Sequence, residues 1–355
     1  MKKLLVIFAI LCLAAPAMAA DWNFYGSARM ATFYTVVDKD APAPNDDTIN
    51  RTIWAQQGNS RIGADVKVND QIGGGFEMSD SFGKRKLFGT YTFGGGSQLL
   101  LGQTYTPTST FFYSNSVYDG DGNLLGLGQF YAGRNPMVQW KMGGFKIAGV
   151  APSIPDDTDD FAVDLVIPKI EAAYKMKGDA FFIDVAGGFQ TYTLDYFADG
   201  TSDPTVTSYV IMAGGGMNFG AFYVSLGANY GQNYDQYGAY NPSLAGVRGI
   251  DIGGTFDGAN EIDNKSFGAL GVLGFNASDT WTFEGGIGYQ EGEDDTTDED
   301  QREKVMQFYL NATWNIAPGF FVVPEVGYAK YDYAGDDPQD EPSLIYVGAK
   351  WQINF

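Results

Sequence analysis

Over most of its length the chain alternates apolar and polar positions. Trp281, Phe283, Gly285, Ile287 and Tyr289 share one parity, and Thr282, Glu284, Gly286, Gly288 and Gln290 share the other. Met306, Phe308, Leu310, Ala312 and Trp314 alternate with Gln307, Tyr309, Asn311 and Thr313, and Phe222, Val224, Leu226, Ala228 and Tyr230 with Tyr223, Ser225, Gly227 and Asn229. A strand sends successive side chains to opposite faces, so each segment predicts a strand with one oily and one polar face. Short turns break the pattern at Asn69-Asp70, Gly94-Gly95-Gly96, Gly143-Gly144, Lys177-Gly178-Asp179, Gly220-Ala221, 277–280 and Ala317-Pro318-Gly319. They carry the Gly, Asn and Asp that tight hairpins need. Between them lie polar, acidic, Pro- or Gly-rich connections at 38–50, 105–133, 152–167, 195–205, 235–264, 292–301 and 334–341, and a shorter one at 81–83. About seven turns and eight loops predict about 16 strands in one antiparallel meander. The even count puts both termini on the same side, and no linker or second domain interrupts 20–355.

The two ends decide between a soluble sandwich and a membrane barrel. Met1-Lys2-Lys3 is basic, the apolar run from Leu4 to Ala15 is too short to span a membrane, and Ala17-Met18-Ala19 fits a signal-peptidase site. Residues 1–19 therefore read as a secretory signal peptide cut before Ala20. The single cysteine, Cys12, lies inside it, which leaves the mature chain without disulfides. At the other end Ile345, Val347, Ala349, Trp351, Ile353 and Phe355 are apolar at every second position, and the chain stops on the aromatic ring. This resembles the C-terminal strand of bacterial outer-membrane β-barrels. The resemblance implies that Phe355 is an assembly signal read by the barrel-assembly machinery. No segment offers the roughly 20 apolar residues of a membrane helix. An exported membrane protein without such a helix must be a closed barrel, because lipid leaves no partner for an unpaired backbone group. The expected fold is thus all-β, a transmembrane antiparallel β-barrel of about 16 strands, with the apolar set on lipid and aromatic residues near the strand ends.

Composition narrows the function. Losing Lys2 and Lys3 leaves 20 basic against 43 acidic residues, a net charge of −23, which excludes nucleic acid as a partner. An aromatic content of 15% excludes an acidic disordered chain. There is no histidine, so Ser-His catalysis and imidazole-held metal are excluded, and no GxSxG elbow occurs. No enzyme and no cofactor is expected. A barrel of about 16 strands is wide enough to leave an aqueous channel.

The first third carries a narrower resemblance. Gly58-Asn59-Ser60-Arg61-Ile62-Gly63, with Gly73-Gly74-Gly75-Phe76-Glu77, and then Gly89 with Leu101-Gly102-Gln103-Thr104-Tyr105-Thr106-Pro107, are similar to two consecutive motifs of the general Gram-negative porins. Gln103 stands where that family has Arg. The resemblance implies a trimer of barrels in the outer membrane, passive diffusion of ions and small hydrophilic solutes, and a third loop folded inward to narrow the channel. The third loop here, 105–133, is too long for an ordinary hairpin connection. It holds Asp119-Gly120-Asp121-Gly122 among Phe111, Phe112, Tyr113, Tyr118, Phe130 and Tyr131.

Strand phase places Arg29, Arg61, Lys84 and Lys86 on the inner face, with Arg51, Lys67, Lys141 and Lys146 adding to it. Facing Asp119 and Asp121, these basic residues would line a constriction and set a transverse field, the kind of charge ring that governs selectivity. The alternative is that they pair with Asp65, Glu77, Glu171 or Glu325 and keep the lumen wet. The net charge predicts a weak cation preference. The acid-rich outer loops read as a solvated rim; the alternative is Ca²⁺ or Mg²⁺ bound beside lipopolysaccharide phosphates. Two other functions stay open: a carbohydrate- or anion-selective porin, with Tyr234, Tyr237 and Tyr240 as an aromatic slide, and a plugged structural barrel.

Overall fold

The structure is a computed structural model that describes residues 20–39, 48–109, 112–197, 202–258, 260–295, 302–334 and 341–355. Sixteen antiparallel strands close into a transmembrane barrel. In chain order they are β1 (Asp21–Asp38); β2, in two segments (Ile49–Gln56 and Arg61–Lys67); β3 (Ile72–Ser79); β4 (Lys84–Thr92); β5 (Gln98–Tyr105); β6 (Arg134–Met142); β7 (Phe145–Val150); and β8, again in two segments (Phe161–Asp164 and Lys169–Lys177). The second half is β9 (Phe181–Tyr196), β10 (Thr205–Phe219), β11 (Phe222–Gln232), β12 (Asn264–Asn276), β13 (Trp281–Asp294), β14 (Arg302–Ala317), β15 (Phe320–Asp332) and β16 (Ser343–Asn354). The segments of β2 pair with the two halves of β1, and those of β8 with the two halves of β9. The break in β8 ends at Pro168, which has no N–H to give a ladder.

Away from the bulges in β4 and β14, strand parity behaves as the alternation predicts. On β16, Ile345, Val347, Trp351 and Ile353 are 45–52% exposed, whereas Leu344 and Tyr346 are fully buried. The polar parity points inward and is also buried: Glu77, Glu171, Asp184 and Glu325 all lie within the wall and its contents. A soluble protein would invert this arrangement. A continuous apolar belt on the outside is stable only against lipid or another protein surface. Stacked Trp281 and Trp314, with Phe283 beside them, sit at the short-turn ends of β13 and β14, where an interfacial girdle belongs.

The barrel shuts where β16 pairs with β1, from Ser27 opposite Asn354 to Asp38 opposite Ser343. Phe355 extends the seam by exchanging backbone hydrogen bonds with Gly26 at 2.7 and 3.1 Å, and its ring stays 72% exposed on the outer wall. Gly348 is the tight point. A Cβ there would meet the Thr32 carbonyl oxygen at 2.2 Å and the Phe33 Cα at 2.5 Å, both backbone. The leader, Phe111 and much of the acid-rich outer connections fall outside the described residues.

Gly348→Val should therefore force the seam apart. Overpacking against rigid backbone costs about 1–3 kcal/mol. We expect a smaller fraction of the heat-modifiable folded form on unheated gels, with Gly89→Val, whose Cβ meets nothing closer than 3.9 Å, folding normally.

Candidate pore constriction

The connection from β5 to β6 does not project outward. It crosses the lumen along the wall of the second half of the barrel, and carboxylates on that wall hold it at each step. Glu171 of β8 accepts from the Thr108 amide and hydroxyl at 3.0 and 2.9 Å, and Asp184 of β9 accepts from the Tyr113 hydroxyl at 2.9 Å. Glu284 of β13 takes the Asn115 amide and side chain at 2.7 and 2.6 Å. Glu325 of β15 accepts from Ser116 Oγ, Val117 N and Tyr118 N at 2.9, 2.8 and 3.1 Å. Bonds to an ionised acceptor are about twice as strong as neutral ones, and here they satisfy loop amides that would otherwise be buried unpaired. Tyr118 then stacks on Tyr346 with centroids 3.9 Å apart.

At its tip the loop turns through Asp119, Gly120 and Asp121 at φ of 52, 73 and 62°. Asp and Gly reach this left-handed region more readily than other residues. Asp121 is held by Arg29 of β1 and by Lys350 of β16, the latter at 2.9 Å. The break in β2 contributes here. Gln57 N and Ser60 Oγ bond the Arg29 backbone, while Asn59 Nδ2 reaches the Gly120 carbonyl at 2.7 Å. The returning arm buries Leu124, Leu127 and Phe130. It runs so close to β12 and β13 that a Cβ on Gly288 would sit 1.8 Å from the Leu127 oxygen.

The connection between β11 and β12, residues 233–263, is infolded as well. Tyr234 and Tyr237 are buried edge-on against Phe130, at centroid distances of 5.0 and 5.6 Å. Glu171 joins the two loops: its second oxygen accepts from the Tyr237 hydroxyl at 3.0 Å. Neighbouring Lys169, equally buried, donates to the Tyr237 carbonyl at 3.0 Å.

What remains open lies between the loop and the first strands. A cavity of about 300 Å³ is bounded by Arg29, Arg61, Arg85 and Arg134 on the wall and by Asp121 and Tyr131 on the loop. Glu77 is the wall's own acid. It accepts from Arg85 at 2.7 Å and Lys86 at 3.1 Å, lies 3.5 Å from Arg61, and takes the Tyr25 hydroxyl at 3.1 Å. Tyr105 lies beneath both Lys86 and Arg134. Among the described residues the cavity lining thus sets four arginines against one carboxylate, Asp121, while Lys86 pairs with Glu77 and the buried Lys350 with Asp121 behind it.

No family model and no curated protein matches this chain. Solved structures do. The outer membrane channel DcaP of Acinetobacter baumannii superposes with a TM-score of 0.70 over 95% of this chain and 97% of its own, at 18% identity. An anion-selective porin from Comamonas acidovorans gives 0.60 over 94% and 100%, at 15% identity. The in-vitro-folded trimer form of OmpT, an outer membrane protein of Vibrio cholerae, gives 0.58 over 95% and 100%, at 14% identity. The fold is that of the outer-membrane porins.

Within this porin fold Arg29, Arg61, Lys86 and Asp121 converge. Two other residues do not. Lys84 is a correction. A bulge sets Glu77 opposite Lys86 but Met78 opposite Lys84, so the phase slips and Lys84 lies on the outer face with Met78. The same slip brings in Arg85, which strict alternation had placed outside. Asp119 lies in a separate crevice with Tyr118 and Tyr240, whose lining among the described residues includes no basic side chain. Arg134, at the first position of β6, carried no strand-phase signal. Tyr234 and Tyr237 are packed away rather than lining a path. Among the described residues no three acids gather as a metal site would require.

Two tests follow from the strapping. Glu325→Ala removes the acceptor of three loop donors, so we expect faster proteolytic cleavage within 112–118 and a larger, noisier single-channel current. Glu171→Gln keeps the volume but loses the charge shared by Thr108 and Tyr237. Cleavage should then rise in both the 106–133 and 233–263 segments, whereas Lys177→Gln, on the same strand, should alter neither.

Proposed function

We propose that this chain is a non-enzymatic outer-membrane porin, a water-filled channel for passive diffusion of ions and small hydrophilic solutes. The observation that carries the reading is the cavity left between a basic wall and a loop strapped to the opposite wall. Sixteen strands give a lumen too wide for side chains to fill, and the infolded loop reduces it to a passage of molecular size. The solutes favoured are anions. This reverses the cation preference expected from net charge. The acids of the second-half wall are consumed by loop donors, whereas the described lining of the passage keeps four arginines against one carboxylate, Asp121. Outer acids farther than about 8 Å from the ion path are screened at physiological salt.

The leader is removed, Phe355 serves the insertion machinery, and the outer belt meets membrane lipid with lipopolysaccharide at the acidic rim. The protein forms homotrimers. Supporting this, the outer wall of β1 to β5 is flattened by Gly74 and Gly89 among exposed Phe24, Leu87 and Leu101, a surface suited to a neighbouring barrel. The connection at 80–83 is short, so any latch between barrels lies elsewhere.

Planar-bilayer recording under a salt gradient tests the channel. We expect a reversal potential on the anion side, and Arg61→Gln with Arg85→Gln should move it toward cations without loss of conductance. A closed bilayer in the wild type would instead favour the plugged barrel. Liposome swelling should rank neutral sugars by size without saturation. Mass measurement in mild detergent should return a trimer; a monomer alone would remove that part.

A further inference from the structure

We propose a second anion site, at the short-turn end of the lumen, that takes small anions of two or more charges such as oligophosphates. It is formed by Lys141 of β6, Lys146 of β7 and Lys175 and Lys177 of β8 around a cavity of about 310 Å³. Lys141 stands directly opposite Lys146 in register, and Lys146 directly opposite Ala173. Opposed residues share a face, with Cβ atoms about 4.5–5.5 Å apart, and like charges so placed repel. Ile147 and Tyr174, of the other parity, are exposed on the outer wall, so this face is the lumen. Lys175 and Lys177 follow Ala173 on it.

The fold does little to neutralise the cluster. Among the described residues only Lys175 has an acid, Asp184 at 3.3 Å, and that carboxylate is already shared with the Tyr113 hydroxyl. Lys141, Lys146 and Lys177 make no ion pair there. Gly143, Gly144 and Ala173 leave the space between the ammonium groups empty of side chains. Chloride would neutralise one of these charges. An oligophosphate can neutralise several at once, and lysine binds phosphate as a compact point charge. The geometry stands by itself, but the site's place on a solute's route rests on the channel reading. A permeating oligoanion would then meet two stations, the arginine constriction and this one.

The test is calorimetric titration of the detergent-solubilised full barrel with pyrophosphate at low salt, beside bilayer recording of the same preparations. Heat-modifiability on gels verifies that each variant is folded. Lys141→Gln with Lys146→Gln should weaken pyrophosphate binding at least tenfold, Lys141→Arg with Lys146→Arg should restore it, and Arg61→Gln should leave this binding in place. An unchanged affinity in the glutamine variant, or no binding in the wild type, overturns the site even if the channel conducts anions normally. Loss of binding in that variant from a barrel that carries no current supports the site and removes the channel reading instead.

Discussion

The interior depends on carboxylates that face inward from the second half of the barrel and accept hydrogen bonds from a loop belonging to the first half. An ionised carboxylate in a desolvated wall is costly unless its oxygens are occupied. A loop crossing a wide lumen has the complementary problem of amides with no ladder. Glu284 and Glu325 solve both together, taking Asn115 through Tyr118 as donors, with Asn311 and the Tyr309 and Tyr346 hydroxyls completing their shells.

This arrangement sorts charge. Acids on β8, β9, β13 and β15 are covered by the loop and disappear from the path. Basic residues on β1, β2, β4 and β6 border the open cavity instead. A chain with a strongly negative total therefore presents a positive passage, because position relative to the loop, and not the sum, decides what a solute meets. Arg29 and Lys350 hold the loop tip by Asp121, the one loop acid shown against this wall.

The strand number and the outward parity were legible because they follow from a two-residue period; the infolding of the third loop was implied by the resemblance to general porins, with the loop's length and aromatic residues agreeing. Arg29 and Arg61 lie on regular strand beside the β2 break and were placed inward on the same grounds. Lys84 and Arg85 exchanged places because a bulge adds one residue to β4, and nothing local marks it. The second infolded loop was hidden for another reason. Tyr234 and Tyr237 look like surface tyrosines until Phe130 and Glu171, distant in sequence, are brought beside them. The acids of β13 and β15 read as lumen polarity, since their partners lie in a loop joined to the opposite side.

The spacing of these partners along the chain sets an order of events. Ser116 and Glu325 are separated by 209 residues, and Asn115 and Glu284 by 169. Such non-local contacts form only after the intervening chain is placed. Docking of the loop must therefore wait until the first strands and β13 and β15 stand in one barrel, whichever end inserts first. A newly inserted barrel would pass through an interval as a wide, unnarrowed tube, leakier than the finished molecule. Its final tightening would come from hydrogen bonds made in water inside the wall, without further help from the membrane.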